Sequence, residues 1–214
     1  GWIDERMVVG GVREEAAKIA KGAAPAPLRR PSRPSEDSAA PAGPAHPRRD
    51  DPTLWPQREA LKAVMQHPGI AGSVFDSLPP ETFGHPAYAA VSDAVREAGG
   101  TAAGLGGGEW LDAVGKKAEA KGLRSLVTEL AVEPMPISEE ATPRYISGVL
   151  ARLQEVWVGR QVAELKSKLQ RMSPIEKPED YNALFGDLIA LEQYRRSLLE
   201  QAVGSTTDAE FPAI

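Results

Sequence analysis

The chain has 214 residues, 25 Lys and Arg against 30 Asp and Glu, 42% hydrophobic residues and no cysteine. That length supports one or two domains with a self-sufficient core, and the absence of Cys excludes disulfide frameworks, Cys-based zinc sites and cysteine nucleophiles. A formal charge of −5 argues against wholesale coating of nucleic acid.

Residues 3–21 carry Ile3, Met7, Val8, Val12, Ala16 and Ile19 at helical spacing, closed by Lys18, Lys21 and Gly22. One amphipathic helix has nothing here to pack on, so residues 1–21 read as the last helix of an upstream domain. The chain also lacks an initiator Met, which fits a piece of something longer. Residues 22–51 follow as a tether: positions 22–50 hold seven Pro and seven Ala, and Leu28 is their one large aliphatic. Such a stretch buries too little apolar area to offset its ordering entropy.

A helix is expected over 53–67, with Leu54, Leu61, Val64 and Met65 on one face and Pro68-Gly69 as its stop. A short segment follows over 70–77, then a turn at PPETF, then a helix over 86–98 with Pro86 at its first position. The glycine-rich stretch 99–108 reads as a loop, and 109–121 and 123–132 as two more helices. No alternating strand pattern of five residues or more is present, so the fold class is all-α.

From Ser138 to Met172 the pattern is one long helix, with Ser138 as N-cap, Glu139 and Glu140 where the dipole favours anions, and Pro143 near the start. Its apolar positions form two stripes. Ile146, Val149, Leu150, Leu153, Val156 and Trp157 share one, and Val158, Val162, Leu165, Leu169 and Met172 the other. The second is rotated by roughly 120° from the first at about 100° per residue. Gly159 sits at the switch and is the expected hinge. A helix with two buried faces serves two packing environments. Residues 52–157 are therefore expected to form a helical bundle, and 158–203 a terminal antiparallel hairpin whose second helix supplies Tyr181, Leu184, Phe185, Leu188, Ile189, Leu191, Leu198 and Leu199. A disordered tail, 204–214, closes the chain.

The search for chemistry is short. His46, His67 and His85 have no metal-ligand spacing, GLGGGEW lacks the Lys-Ser/Thr of a phosphate loop, and neither GxSxG nor a DxD constellation occurs. No run approaches the roughly 18 apolar residues of a membrane span. The opening GWIDERMVVGG lacks the basic and apolar regions of a signal peptide. The sequence offers no catalytic or metal-ligating candidate, and it reads as a protein-docking piece that needs no cofactor of its own.

The order of parts, with WPQREALKAVMQHPGIAG, then FDSLPPETFGHPAYAAV, then the closing LIALEQYRRSLLEQA, resembles the C-terminal helicase-binding region of bacterial replicative primase (DnaG). The resemblance covers most of 52–203. It implies a parent enzyme that makes RNA primers with zinc and magnesium in other domains, and a cytoplasmic piece that docks it, as a monomer with little direct nucleic-acid binding, onto the N-terminal domain of the helicase DnaB. It implies helicase contact through the terminal hairpin, with Tyr181, Leu184, Phe185, Leu188, Tyr194, Arg195, Arg196, Leu198 and Leu199 as the candidates. In some members the bundle also receives the acidic tail of single-stranded DNA-binding protein. The matching positions here are Arg58, Leu61 and Lys62. For Arg195 a salt bridge across the hairpin to Glu155 or Glu164 is the competing expectation. Two other readings remain open: the N-terminal domain of a replicative helicase, and a scaffold that self-associates through its hairpins.

Overall fold

The structure, a computed structural model, describes residues 43–204 apart from 136 and 176. The helix expected over 3–21, most of the tether and the tail from 205 lie outside the described residues. Among the described residues every regular element is helical.

Helix α1 (Trp55–Gln66) opens with Pro56 in its first turn, where the missing amide proton is no loss. Ala60, Leu61, Ala63, Val64 and Met65 are buried, and so are the polar Gln57, Arg58, Glu59 and Lys62. The sequence expectation of one apolar face was too narrow: α1 is the central post of the bundle, covered on every side. Pro68 does end α1, as expected, but it also opens α2 (Pro68–Asp76) after His67 alone. Within α2, Gly72 has φ +46° and ψ −147°, a conformation that breaks the helix and that L side chains rarely adopt. Phe75 and Ala71 point into the core, while Ile70 and Val74 stay exposed.

A single 3-10 turn (Pro80–Thr82) leads to α3 (Pro86–Glu97), which begins with Pro86 in its first turn. His85 caps it: the Ala87 amide donates to His85 Nδ1 at 3.2 Å. The stretch expected as a loop over 99–108 is instead folded, with the short α4 (Gly100–Ala103) and a 3-10 turn (Gly104–Gly106). Asp76 explains the order. Its carboxylate accepts from the Thr101 amide and, at 2.7 Å, from the Thr101 hydroxyl, which fixes the stretch to the end of α2. Helices α5 (Gly108–Glu119) and α6 (Arg124–Val132) complete the bundle.

The long helix α7 runs Thr142–Gln170. Ser138 is not its N-cap. Pro143 is tolerated only in a first turn, and that moves the start to Thr142, with Ala141 as a cap that makes no side-chain hydrogen bond. The Ser138 carbonyl accepts from the Thr142 hydroxyl at 2.9 Å instead. The last helix, α8 (Pro178–Gly204), returns antiparallel along α7. Gly159 introduces no break, and α7 is continuous through it.

Two apolar clusters flank α7. Tyr145, Ile146, Val149, Leu150 and Leu153 join the bundle core. Ala151, Val158 and Val162 join Leu198 and Ala202 of α8, with Trp157, Leu188 and Leu191 packed alongside. The change of face is as the periodicity indicated, except that Trp157 belongs to the second cluster. Both clusters lie within one compact unit.

Residues 43–50, assigned to the tether, are held on the bundle. Arg49 reaches Glu133 at 2.9 Å and Glu129 at 3.5 Å, and His46 Nε2 lies 3.3 Å from the Ser125 hydroxyl on α6. Two well-placed carboxylates thus anchor the last residues of a segment whose composition reads as unstructured.

Candidate functional site

The first set of candidates, Arg58, Leu61 and Lys62, lies inside the bundle. Arg58 is 5% exposed, Lys62 2% and Leu61 fully buried. Arg58 pairs with Glu133 and, at 2.6 Å, with Glu129. Lys62 pairs with Glu59 at 2.7 Å and with Glu133 at 3.3 Å, and donates to the Pro134 carbonyl at 3.2 Å. Arg49, Arg58 and Lys62 therefore face Glu59, Glu129 and Glu133, three charges against three. Tyr145 on α7 donates to Glu59 at 2.9 Å, and Gln66 donates to the carbonyls of Leu130 and Glu133.

Burial would raise the Glu133 carboxyl, but hydrogen bonds from Arg58 and Arg49 and the charge of Lys62 outweigh it and hold it at about 2. Burial, together with the adjacent Glu59 carboxylate, pushes the Tyr145 hydroxyl well above its ordinary value. An acidic tail finds no accessible cation at Arg58 or Lys62, because the bundle has already neutralised both. The assignment of these three residues to a tail site is corrected accordingly: they belong to a buried ion network that joins α1, α6 and α7.

The hairpin candidates separate into two faces of α8. At about 100° per residue, Leu188, Leu191, Arg195, Leu198 and Ala202 share one face, and Phe185, Ile189, Arg196, Leu199 and Val203 share another. The first is the seam on α7. Leu198 is 3% exposed there, so it holds the hairpin together and is not available to a partner. Arg195 donates to Glu155 at 3.2 Å and to Glu192 at 3.1 Å, which realises the cross-hairpin salt bridge and satisfies Arg195 within the seam. Its Cδ lies 3.8 Å from where a Cβ at Gly159 would stand, so Gly159 marks the crossing point of Arg195 over α7 and not a kink. Lys166 bonds Glu192 at 2.6 Å and draws that carboxyl below its usual range, with Arg195 adding to the effect. Tyr194 lies about half a turn away from the outward face, and its hydroxyl donates to Gln154 at 2.9 Å.

The second face is open. Phe185, Ile189 and Leu199 are 43–47% exposed and Val203 62%. Tyr181 stacks on Phe185 with ring centroids 6.4 Å apart and planes 8° from parallel. A groove of about 510 Å³ runs beside the stripe, lined by Leu188, Ile189 and Leu199 with Lys166, Glu192, Arg195 and Arg196 around it. Of the sequence candidates on this face, Arg196 and Leu199 line this groove, while Phe185 lies further along the same face and outside the lining. Ile189 and Val203, which are not among the sequence candidates, stand exposed in the same row, and their spacing from Phe185 and Leu199 is legible in the sequence.

One further contact sets the hairpin on the bundle. Arg160 of α7 donates to the carbonyls of Glu81 at 3.0 Å and Thr82 at 2.8 Å. Gly84 leaves the room for it: a Cβ there would stand 2.6 Å from Arg160 Nη1.

Among the described residues no group of three or more His, Cys, Asp or Glu side chains could hold a metal ion. No helix among the described residues is long and apolar enough to cross a membrane.

Comparison with known proteins agrees with this architecture. A family model described as DNA primase DnaG DnaB-binding matches residues 57–184. A DNA primase of Mycolicibacterium smegmatis is 54% identical over 210 residues, covering 98% of this chain and 32% of the relative. A DNA primase of Mycobacterium tuberculosis is 51% identical over 213 residues, covering 98% and 33%, so the chain spans about a third of the length of the curated relatives it matches. A solved structure, the helicase binding domain of primase from Mycobacterium tuberculosis, is 57% identical with a TM-score of 0.63, covering 75% of this chain and 99% of that one. The family match ends at Leu184, and the full-length relatives carry the likeness on through α8. With more than half of its length matched by that model, the chain belongs to the DnaB-binding family of DNA primase DnaG.

Proposed function

We propose that this chain docks a DNA primase onto the replicative helicase DnaB, and that the outward stripe of α8 is the contact. The observation that carries the reading is a row of exposed apolar side chains, Phe185, Ile189, Leu199 and Val203, on the last helix of a chain whose family is described by DnaB binding. An amphipathic helix face with aromatic and aliphatic anchors and Arg196 at its edge suits docking against partner helices. The seam residues Leu188, Leu198 and Ala202 position that face, and the Glu155–Arg195–Glu192–Lys166 chain of ion pairs holds it in register.

Primer synthesis, with the zinc and magnesium that it implies, is proposed for the two thirds of the relatives' length outside this chain. The docking piece acts as a monomer in the cytoplasm, and DnaB is its partner through that helicase's N-terminal domain. Because the relatives are primases, the chain is read as the helicase's partner and not as the helicase's own N-terminal domain.

Isothermal titration of the chain against the DnaB N-terminal domain tests this. The double variant Ile189→Glu with Leu199→Glu leaves both buried clusters intact, so its helical circular dichroism stays unchanged while affinity falls at least about 30-fold, the loss expected from one hot-spot contact of about 2 kcal/mol. Unchanged affinity in a folded variant overturns the assignment. So does a homodimer seen by light scattering that the same variant dissolves. Truncation after Gln193 is a poorer test, because it removes Leu198 and Ala202 and with them the seam.

A further inference from the structure

Every third residue of the stretch before α1 touches α6 or the turn that leads into it. A Cβ on Gly43 would stand 2.0 Å from the Lys121 carbonyl oxygen, so the chain passes there backbone against backbone. His46 Nε2 lies 3.3 Å from the Ser125 hydroxyl, and Arg49 reaches Glu129 at 3.5 Å and Glu133 at 2.9 Å. Between these contacts Pro44 and Pro47 are half-buried, and Ala45 and Arg48 are exposed. Three faces repeating every three residues, one of them proline, have the period of a polyproline II strand. On the other side Ser125, Glu129 and Glu133 follow at intervals of four, along one face of a helix. The two repeats keep step. From His46 to Arg49 such a strand advances about 9 Å, and from Ser125 to midway between Glu129 and Glu133 the helix rises about 9 Å. We propose that α6 is a docking rail for a polyproline-type strand, that residues 43–50 are its resident occupant, and that this strap unclips while the bundle stays folded.

Three observations make the strap releasable. The Arg49 side chain is 65% exposed, in the range where ion pairs contribute little and salt screens them. Among the described residues no backbone hydrogen bond joins 43–50 to α6, and Pro44 and Pro47 have no amide proton to give one. When Arg49 leaves, Glu133 keeps Arg58 and Lys62, and Glu129 keeps Arg58, so no buried charge is orphaned. Clipped, the strap holds Gly43 at the Lys121–Gly122 turn. Unclipped, residues 43–51 add up to about 28 Å to the reach of the segment that leads into α1, at about 3.1 Å per residue. The rail thus sets the working length of that segment, and it does so independently of the docking stripe on α8.

Spin labelling of the 214-residue chain tests the proposal. The chain has no cysteine, so Ala45→Cys carries a nitroxide at one place, on an exposed residue of the strap. Its spectrum is expected to be slow in the parent chain and fast in Gly43→Val, whose side chain collides with the Lys121 carbonyl, and in Arg49→Gln. Salt at about 1 M should also speed the parent spectrum, because the Debye length falls to about 3 Å. Trypsin cleavage after Arg48 should quicken at least about 5-fold in both variants, as expected when one weak clip is lost. A label at Thr128→Cys on α6 and the helical circular dichroism should stay as in the parent. The proposal is overturned if the Ala45→Cys label is equally fast in all three chains, if salt leaves it slow, if cleavage after Arg48 is unchanged in the variants, or if the α6 label loosens with it and so reports melting of the bundle.

Discussion

Glu133 is the carboxylate on which the ion network converges, and replacing it with Gln tests how much that network stabilises the bundle. Its side chain is 17% exposed and its pKa falls from 4.5 to about 2 on folding. A fall of that size corresponds to about 3 kcal/mol. Gln keeps one acceptor for Arg58 and recovers about 1 kcal/mol of this, so the expected loss at pH 7 is about 2–3 kcal/mol. The folded pKa is depressed, so the stabilisation is present above about pH 4.5 and is lost as pH falls toward 2. Urea unfolding followed by circular dichroism at pH 7, 5 and 3.5 provides the readout. The gap between the two proteins is expected to narrow by about 1.4 kcal/mol between pH 7 and 3.5. Parallel stability curves across that range, or a gap at pH 7 below about 0.5 kcal/mol, would refute the reasoning.

Leu198→Ala opens a cavity in the small seam cluster and is expected to lower stability by about 2–3 kcal/mol, the lower part of the Leu-to-Ala range; hydrogen exchange should show the loss in α8 and the second half of α7, with α1 protected as before. Gly84→Ala forces Arg160 off the Glu81 and Thr82 carbonyls, for a loss of about 1–2 kcal/mol; in an Arg160→Ala background the same change should have little effect, and a double-mutant cycle by thermal unfolding measures that coupling.

The change of face along α7 was legible because helical periodicity is a local property: Val158 and Val162 announce their rotation without help from elsewhere in the chain. The all-α class and the pairing of α7 with α8 follow from the same local pattern. The burial of Arg58 and Lys62 was not legible, because the carboxylates that permit it, Glu129 and Glu133, stand about seventy residues away. One signal was present nonetheless. Ala60, Leu61, Ala63, Val64 and Met65 spread over about 200° of α1, an arc too wide for a helix with a solvated side. The resemblance places Tyr194 and Leu198 in one candidate set with Phe185 and Leu199. Helical phase separates them, and applied to α8 as to α7 it puts Ile189 and Val203 in the exposed row with Phe185 and Leu199. The start of α7 depended on a contest between Ser138 as a cap and Pro143 as a first-turn residue, and the steric demand of proline prevailed.

Arg160 sets the effective lever arm of the hairpin. From Leu153, the last α7 residue in the bundle core, to Gln170 is about 26 Å at 1.5 Å per residue. With Arg160 held to the 81 and 82 carbonyls the free length drops to about 15 Å. A tilt of about 10° then displaces the tip by about 2.6 Å in place of about 4.5 Å. One guanidinium and one missing methyl group thus limit how far the outer end of the hairpin can swing.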